Sequence, residues 1–103
     1  MPRNDAEGCL QDIHWYDGAW GYFPTYTLGA MTAAQLFAAA ERAHPNLRAD
    51  LARGDFTALV GWLRDNIHGK ASSRSTRQLL TEATGRPLDA AVFKAHLKHR
   101  YLA

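Results

Sequence analysis

The sequence predicts an all-α protein, and three observations carry that expectation. After position 25, apolar residues recur at three- and four-residue intervals. Pro45, Gly54, Gly69 and Gly85 then cut this stretch into helix-length pieces. Strict alternation of apolar and polar residues, the mark of a half-buried strand, is absent except in a short window from Cys9 to Trp15.

Each element has its own signals. Residues 1–25 carry Gly8, Gly18, Gly21, Pro2 and Pro24 and are expected to be irregular. They are also dense in aromatic side chains: Trp15, Tyr16, Trp20, Tyr22 and Phe23, with Tyr26 just beyond. The first helix is expected to start near Thr25–Thr27 and to run through Ala38-Ala39-Ala40 to about Ala43, where Pro45 stops it. Its apolar residues lie nearly all round, which marks it as the buried central helix. A short helix from about Asn46 to Arg53 is closed by Gly54. Asp55 should cap a third, with Phe56, Leu59, Val60, Leu63 and Ile67 on one stripe, ended by Gly69. Ser75 and Gln78 have capping-box spacing ahead of a fourth helix, Thr76 to Thr84, terminated by Gly85. Asp89 caps a fifth, with Val92, Phe93, Leu97 and Tyr101 on its inner face. About five helices in a single domain over 1–103 are therefore expected, with residues 1–25 as an irregular segment and 26–103 as the helical region.

Composition narrows the class without naming a function. The chain has 103 residues, 47% hydrophobic and 21% charged, which excludes disordered and collagen-like classes. Its apolar runs fall far short of the ~20 residues that cross a bilayer. The opening Met1-Pro2-Arg3-Asn4-Asp5 lacks the basic-then-apolar character of an export leader, so a cytoplasmic location is expected. Cys9 is the sole cysteine, which excludes an internal disulfide and a thiolate metal cluster. Charge is uneven: residues 1–63 carry net −3 and residues 64–103 net +5. The eight basic residues of the second part are spread over several elements and read best as a solvated surface, with no nucleic acid expected.

Neither a complete metal motif nor a nucleophile motif is present. Glu41-Arg42-Ala43-His44 has the second half of H-E-x-x-H, but position 40 is Ala, so the first ligand is missing. His96 and His99 lie three apart without an evident third ligand, and His68 sits at an expected helix end, where an imidazole suits the last carbonyls. No metal site is expected in this chain. G-x-S-x-G and the glycine-rich phosphate loops are also absent.

His14 stands apart from the other histidines because it lies outside any expected helix and beside the aromatic group. Asp12 precedes it by two, so in an extended segment both would project to one side and the carboxylate would fix the imidazole tautomer. Gln11 and Trp15 add an amide and an indole, and Tyr22 and Tyr26 supply phenols able to donate to an oxyanion. These residues suit a binding or catalytic surface; a buried aromatic mini-core with a satisfied histidine would use the same residues.

The segment Gly8-x-x-Gln11-Asp12-x-His14-Trp15 resembles the G-x-x-Q-D-x-H-W signature of the Taq-type (thermostable carboxypeptidase) zinc metallocarboxypeptidases. The similarity continues through Gly21-Tyr22-Phe23-Pro24-Thr25-Tyr26, Leu28-Gly29, Ala33-Ala34-Gln35-Leu36, Trp62-Leu63-Arg64 and Ile67-His68, and on to Leu97–Leu102. What the chain resembles is the C-terminal end of that family. The zinc-binding H-E-x-x-H helix, the downstream glutamate ligand and the upstream arginine segment that receives the substrate carboxylate have no counterpart here. Met1 is accordingly expected to be an artificial start or the start of a truncated gene product.

The resemblance implies a mostly helical parent, a cytoplasmic homodimer, that uses zinc or another divalent metal to release C-terminal residues from peptides. It implies that His14 and Tyr26 donate to the developing oxyanion, with Tyr22 as the competing phenol. Asp12 would orient His14, Gln11 and Trp15 would shape the substrate groove, and the chain would bind no metal and be inactive alone. The rival readings are a stand-alone helical module that binds a protein or a nucleic acid, and a catalytically dead remnant retained for dimerisation.

Overall fold

The computed structural model describes residues 1–102. Five α-helices follow one another: α1 (Pro24–Ala43), α2 (Leu47–Ala52), α3 (Thr57–Asn66), α4 (Thr76–Thr84) and α5 (Ala90–Tyr101), with no strand among the described residues. The all-α expectation holds. α1 is the axis against which each of the other helices packs, most extensively α5 and α4.

Local chemistry explains the boundaries. α1 begins at Pro24 rather than one to three residues later, because proline at the first helical position has its φ already set and has no N–H to leave unpaired. Gly54 turns the chain after α2 at φ +79°. Asp55, expected to cap α3, lies one residue outside that position: Phe56 is the N-cap, without a side-chain bond of its own, and Asp55 accepts from the Thr57 amide at 2.9 Å in the turn that leads in. The capping box at α4 is complete: the Ser75 side chain accepts from the Gln78 amide, and Gln78 Oε1 accepts from the Ser75 amide at 3.0 Å. Gly85 closes α4 in the left-handed region, and Asp89 caps α5 through the Ala91 amide.

Three expectations need correction. α3 ends at Asn66, three residues before Gly69, and a run of 3₁₀ turns over His68–Ser73 follows. Gly69 is required there for a different reason: a Cβ at this position would lie 2.9 Å from the Arg64 carbonyl oxygen. The stripe expected on α3 is only partly covered, since Phe56 and Val60 are exposed. On α5, Val92 and Phe93 are half-buried while Leu97 and Tyr101 are exposed, so the inner face ends after one turn.

The core is small. Ala39, Ala40, Leu47 and Leu80 are its buried apolar side chains. Gln35 on α1, 2% exposed, supplies its polar centre. Its Nε2 donates to Thr84 Oγ1 at 2.8 Å and to the Pro87 carbonyl at 3.0 Å, while its Oε1 accepts from the Asp89 amide at 2.9 Å. One side chain thus fastens α1 to the turn between α4 and α5, with each of its polar atoms satisfied. Among the described residues, no helix is long and apolar enough to cross a membrane.

Candidate functional site

Residues 1–25 are not extended. They form short 3₁₀ turns at Asp5–Glu7, Cys9–Gln11 and Ile13–Trp15, so the strand-like window from Cys9 to Trp15 does not exist. Asp12 and His14 still meet, for a local reason. Asp12 is the N-cap of the third turn: its Oδ1 accepts from the His14 amide at 2.9 Å and lies 2.5 Å from His14 Nδ1. Both bonds favour the ionised carboxylate, the backbone one more, and they hold Asp12 below the ordinary aspartate value. With Nδ1–H committed to Asp12, Nε2 is the ring nitrogen left for a ligand. It donates when the ring carries a second proton and accepts when it does not.

The aromatic residues close round this pair. Tyr22 stacks on the His14 ring at a centroid distance of 4.7 Å and an interplanar angle of 10°. The edge of Phe23 meets His14 at 5.0 Å, and Trp15 lies 5.7 Å from both Phe23 and Trp20. Tyr22 and Tyr26 are four apart across the entry to α1, where the Thr25 and Tyr26 amides already make turn bonds to the Tyr22 and Phe23 carbonyls. That spacing brings the two phenol oxygens to 3.0 Å. The bond to Tyr22 holds the Tyr26 phenol above its ordinary range, as expected for a proton kept between two oxygens.

The structure therefore brings together Asp12, His14, Trp15, Tyr22 and Tyr26. Gln11 does not join them: its Nε2 donates to the Ala6 carbonyl within the preceding turn. Phe23, to which the sequence assigned no role, is the hub, touching His14, Trp15, Tyr22 and Tyr26. Its advance signals are its membership of the aromatic group and its place before Pro24, where it becomes the N-cap residue of α1. The polar face is open to solvent, with Tyr26 62% exposed. A separate apolar hollow of about 480 Å³, lined by Cys9, Leu10, Trp15, Tyr16 and Trp20, shares only Trp15 with the cluster. Among the described residues, no three His, Cys, Asp or Glu side chains converge on a point where they could hold a metal ion.

An imidazole held by a carboxylate and stacked on one phenol, which is in turn bonded to a second, is a set of groups able to donate hydrogen bonds. The chain is 41% identical over 101 residues to thermostable carboxypeptidase 1 of Pyrococcus furiosus, covering 98% of this chain and 20% of that protein. It is 41% identical over 102 residues to thermostable carboxypeptidase 1 of Thermus thermophilus, again covering 20% of it. The solved structure of Trypanosoma cruzi metallocarboxypeptidase 1 superposes with a TM-score of 0.90 at 41% identity, over 97% of this chain and 21% of that one. The M32 carboxypeptidase from Deinococcus radiodurans R1 superposes with a TM-score of 0.87, also at 41% identity, over 96% of this chain and 20% of that one. The chain thus spans about a fifth of the length of the relatives it matches. Because the match runs from residue 1 to residue 101, taking in the Asp12–His14 pair, both phenols and all five helices, the chain belongs to the carboxypeptidase Taq (M32) metallopeptidase family.

Proposed function

We propose that this chain is the C-terminal region of a zinc metallocarboxypeptidase and supplies part of its substrate-binding and transition-state face. The observation that carries the reading is the cluster in which Asp12 fixes His14, His14 stacks on Tyr22, and Tyr22 is bonded to Tyr26. The placement in the parent rests on the Gly8-x-x-Gln11-Asp12-x-His14-Trp15 signature. The described residues do not assemble a metal-binding set, so zinc would be held by residues outside this chain.

The roles follow from the chemistry of peptide hydrolysis. As the scissile carbonyl becomes tetrahedral, its oxygen gains charge and needs hydrogen-bond donors already in position. His14 would donate from Nε2, with the Asp12 carboxylate balancing the ring's second proton. The tyrosine pair has one proton between its oxygens and one free, so it would offer a single outward O–H. Trp15 and Phe23 hold the two donors in register. Gln11, turned back to Ala6, would shape the approach to the groove and make no polar contact with the reacting atoms. The parent would act in the cytoplasm as a homodimer on peptide substrates.

The test compares this chain with a version extended on its N-terminal side by the remaining four-fifths of a parent. Metal content is read by elemental analysis and activity on a blocked dipeptide. The expected result is a metal-free, inert short chain and an extended chain that binds zinc stoichiometrically and releases the C-terminal residue. Stoichiometric zinc or cleavage in the short chain would overturn the reading, and so would an extended chain whose activity survives His14→Ala unchanged.

A further inference from the structure

α1 presents an uncovered apolar trough. Ala33 and Phe37 form its floor. On one side a hollow of about 200 Å³ is walled by Leu59 and Leu63 of α3. On the other, a hollow of about 390 Å³ is walled by Phe93 and His96 of α5. Both hollows are bordered by Ala33 and Phe37, so they lie next to each other on α1, one towards α3 and one towards α5, and are taken together as the trough.

The molecule as a whole is short of cover. Its accessible surface is 7,699 Å², against about 5,800 Å² for a compact monomer of 11.5 kDa by the area–mass scaling. Its radius of gyration is 17.8 Å, against about 13 Å for a compact domain of this length. The excess of about 1,900 Å² is more than twice what one partner contributes to a standard interface, about 800 Å². That amount matches an obligate contact better than a transient one, and the relatives are about five times longer than this chain.

We infer that this trough seats a helix from the remaining four-fifths of the metallocarboxypeptidase. The inference rests on the reading given under Proposed function and adds the place where the two parts meet. The occupant is a helix because the apolar walls offer almost no partners for open backbone N–H and C=O groups, and a helix satisfies its own. Side chains on one helix face repeat along its axis at intervals that let successive residues enter the two hollows, as ridges enter grooves. A second copy of this chain is the competing occupant.

The test places a reporter on the floor of the trough. Ala33 is exposed in this chain, and Ala33→Cys in a Cys9→Ser background is a mild change that leaves one thiol. Maleimide labelling is followed in the 103-residue chain and in a full-length chimera, in which the chain replaces the matching fifth of the Thermus thermophilus enzyme. The expected result is rapid labelling in the short chain at every concentration and labelling about 100-fold slower in the chimera, as for a site reached only by local opening. As a second measurement, Ala33→Arg should lower the melting temperature of the chimera and leave that of the short chain unchanged. Equal labelling in both proteins, with equal melting of the Ala33→Arg and parent chimeras, would overturn the inference. Concentration-dependent protection in the short chain would also overturn it, in favour of a second copy. Carboxypeptidase activity of the chimera reports separately on the function: an Ala33→Cys thiol that is protected in an inert chimera keeps the docking and removes the catalytic reading.

Discussion

The hydroxyl oxygens of Tyr22 and Tyr26 lie 3.0 Å apart, so one of the two phenol protons is held inside the pair and one is free. Two donors that share a proton cannot act independently on a substrate. In the extended enzyme, Tyr22→Phe is expected to lower kcat/KM by about 10²-fold, the usual cost of losing one oxyanion donor. Tyr26→Phe should cost about the same, because either phenol can be the one that donates within the pair. The double variant should be no worse than Tyr22→Phe within a factor of about 3, a non-additivity typical of groups that act as a unit. Steady-state kinetics of the three variants decide this; losses that multiply would mean two separate donors.

Asp12 gives a pH dependence whose direction is fixed. Its pKa is lowered in the folded chain, so the stability it contributes is full above the ordinary aspartate value of 3.8 and is lost as pH falls through the lower folded value. Asp12→Asn should therefore be less stable than the parent chain at pH 7, and the difference should shrink as the solution is acidified below 3.8. Thermal melts at pH 7, 4 and 2.5 measure it. A gap that stays constant or widens on acidification would refute the assignment.

Gln35 should be the most costly polar residue of the helical part to lose. Truncation to Ala leaves the Asp89 amide and the Thr84 hydroxyl without this partner in a buried place and opens a cavity, at a cost of about 2–4 kcal/mol. Gln35→Glu keeps the volume but replaces two N–H donors by an acceptor facing the Pro87 carbonyl, and should be at least as damaging. Urea denaturation of the two variants supplies both numbers.

Ala71 sits at φ 43°, ψ −129°, where an L side chain is strained. Ala71→Gly is expected to stabilise the chain by about 1 kcal/mol, since relief of strain outweighs the added freedom of the unfolded state. The same denaturation assay shows it as a higher midpoint with an unchanged slope.

Much of this was legible in advance, and the residues show why. Capping at Ser75 and Asp89, the Asp55 turn into α3 and the left-handed turns at Gly54 and Gly85 depend on a few neighbouring residues, so spacing alone located α4, α5 and the start of α3. Asp12 and His14 were paired correctly but for the wrong reason: a three-residue 3₁₀ turn with an aspartate cap brings them together, where an extended strand was expected. The exposure of Leu97, Tyr101, Phe56 and Val60 could not be read from periodicity. Periodicity says which residues want cover; whether another element covers them is a matter of tertiary packing that no local pattern encodes. The role of Gln35 was out of reach for a different reason, since its partners lie 49 to 54 residues further on and are set by how the chain folds back on itself.

The reach of Gln35 also has a consequence in time. Its partners lie 49 to 54 residues further along the chain. At ~5–20 residues per second of synthesis, α1 leaves the ribosome roughly 2.5–10 s before the residues that satisfy its buried amide exist. During that interval α1 is an apolar helix with an unpaired polar group on its buried face, and only the arrival of Thr84 to Asp89 completes it. Residues 84–89 therefore decide whether the helix that precedes them was made in vain, and a nascent chain halted before Thr84 is the form that chaperones and proteases should recognise first.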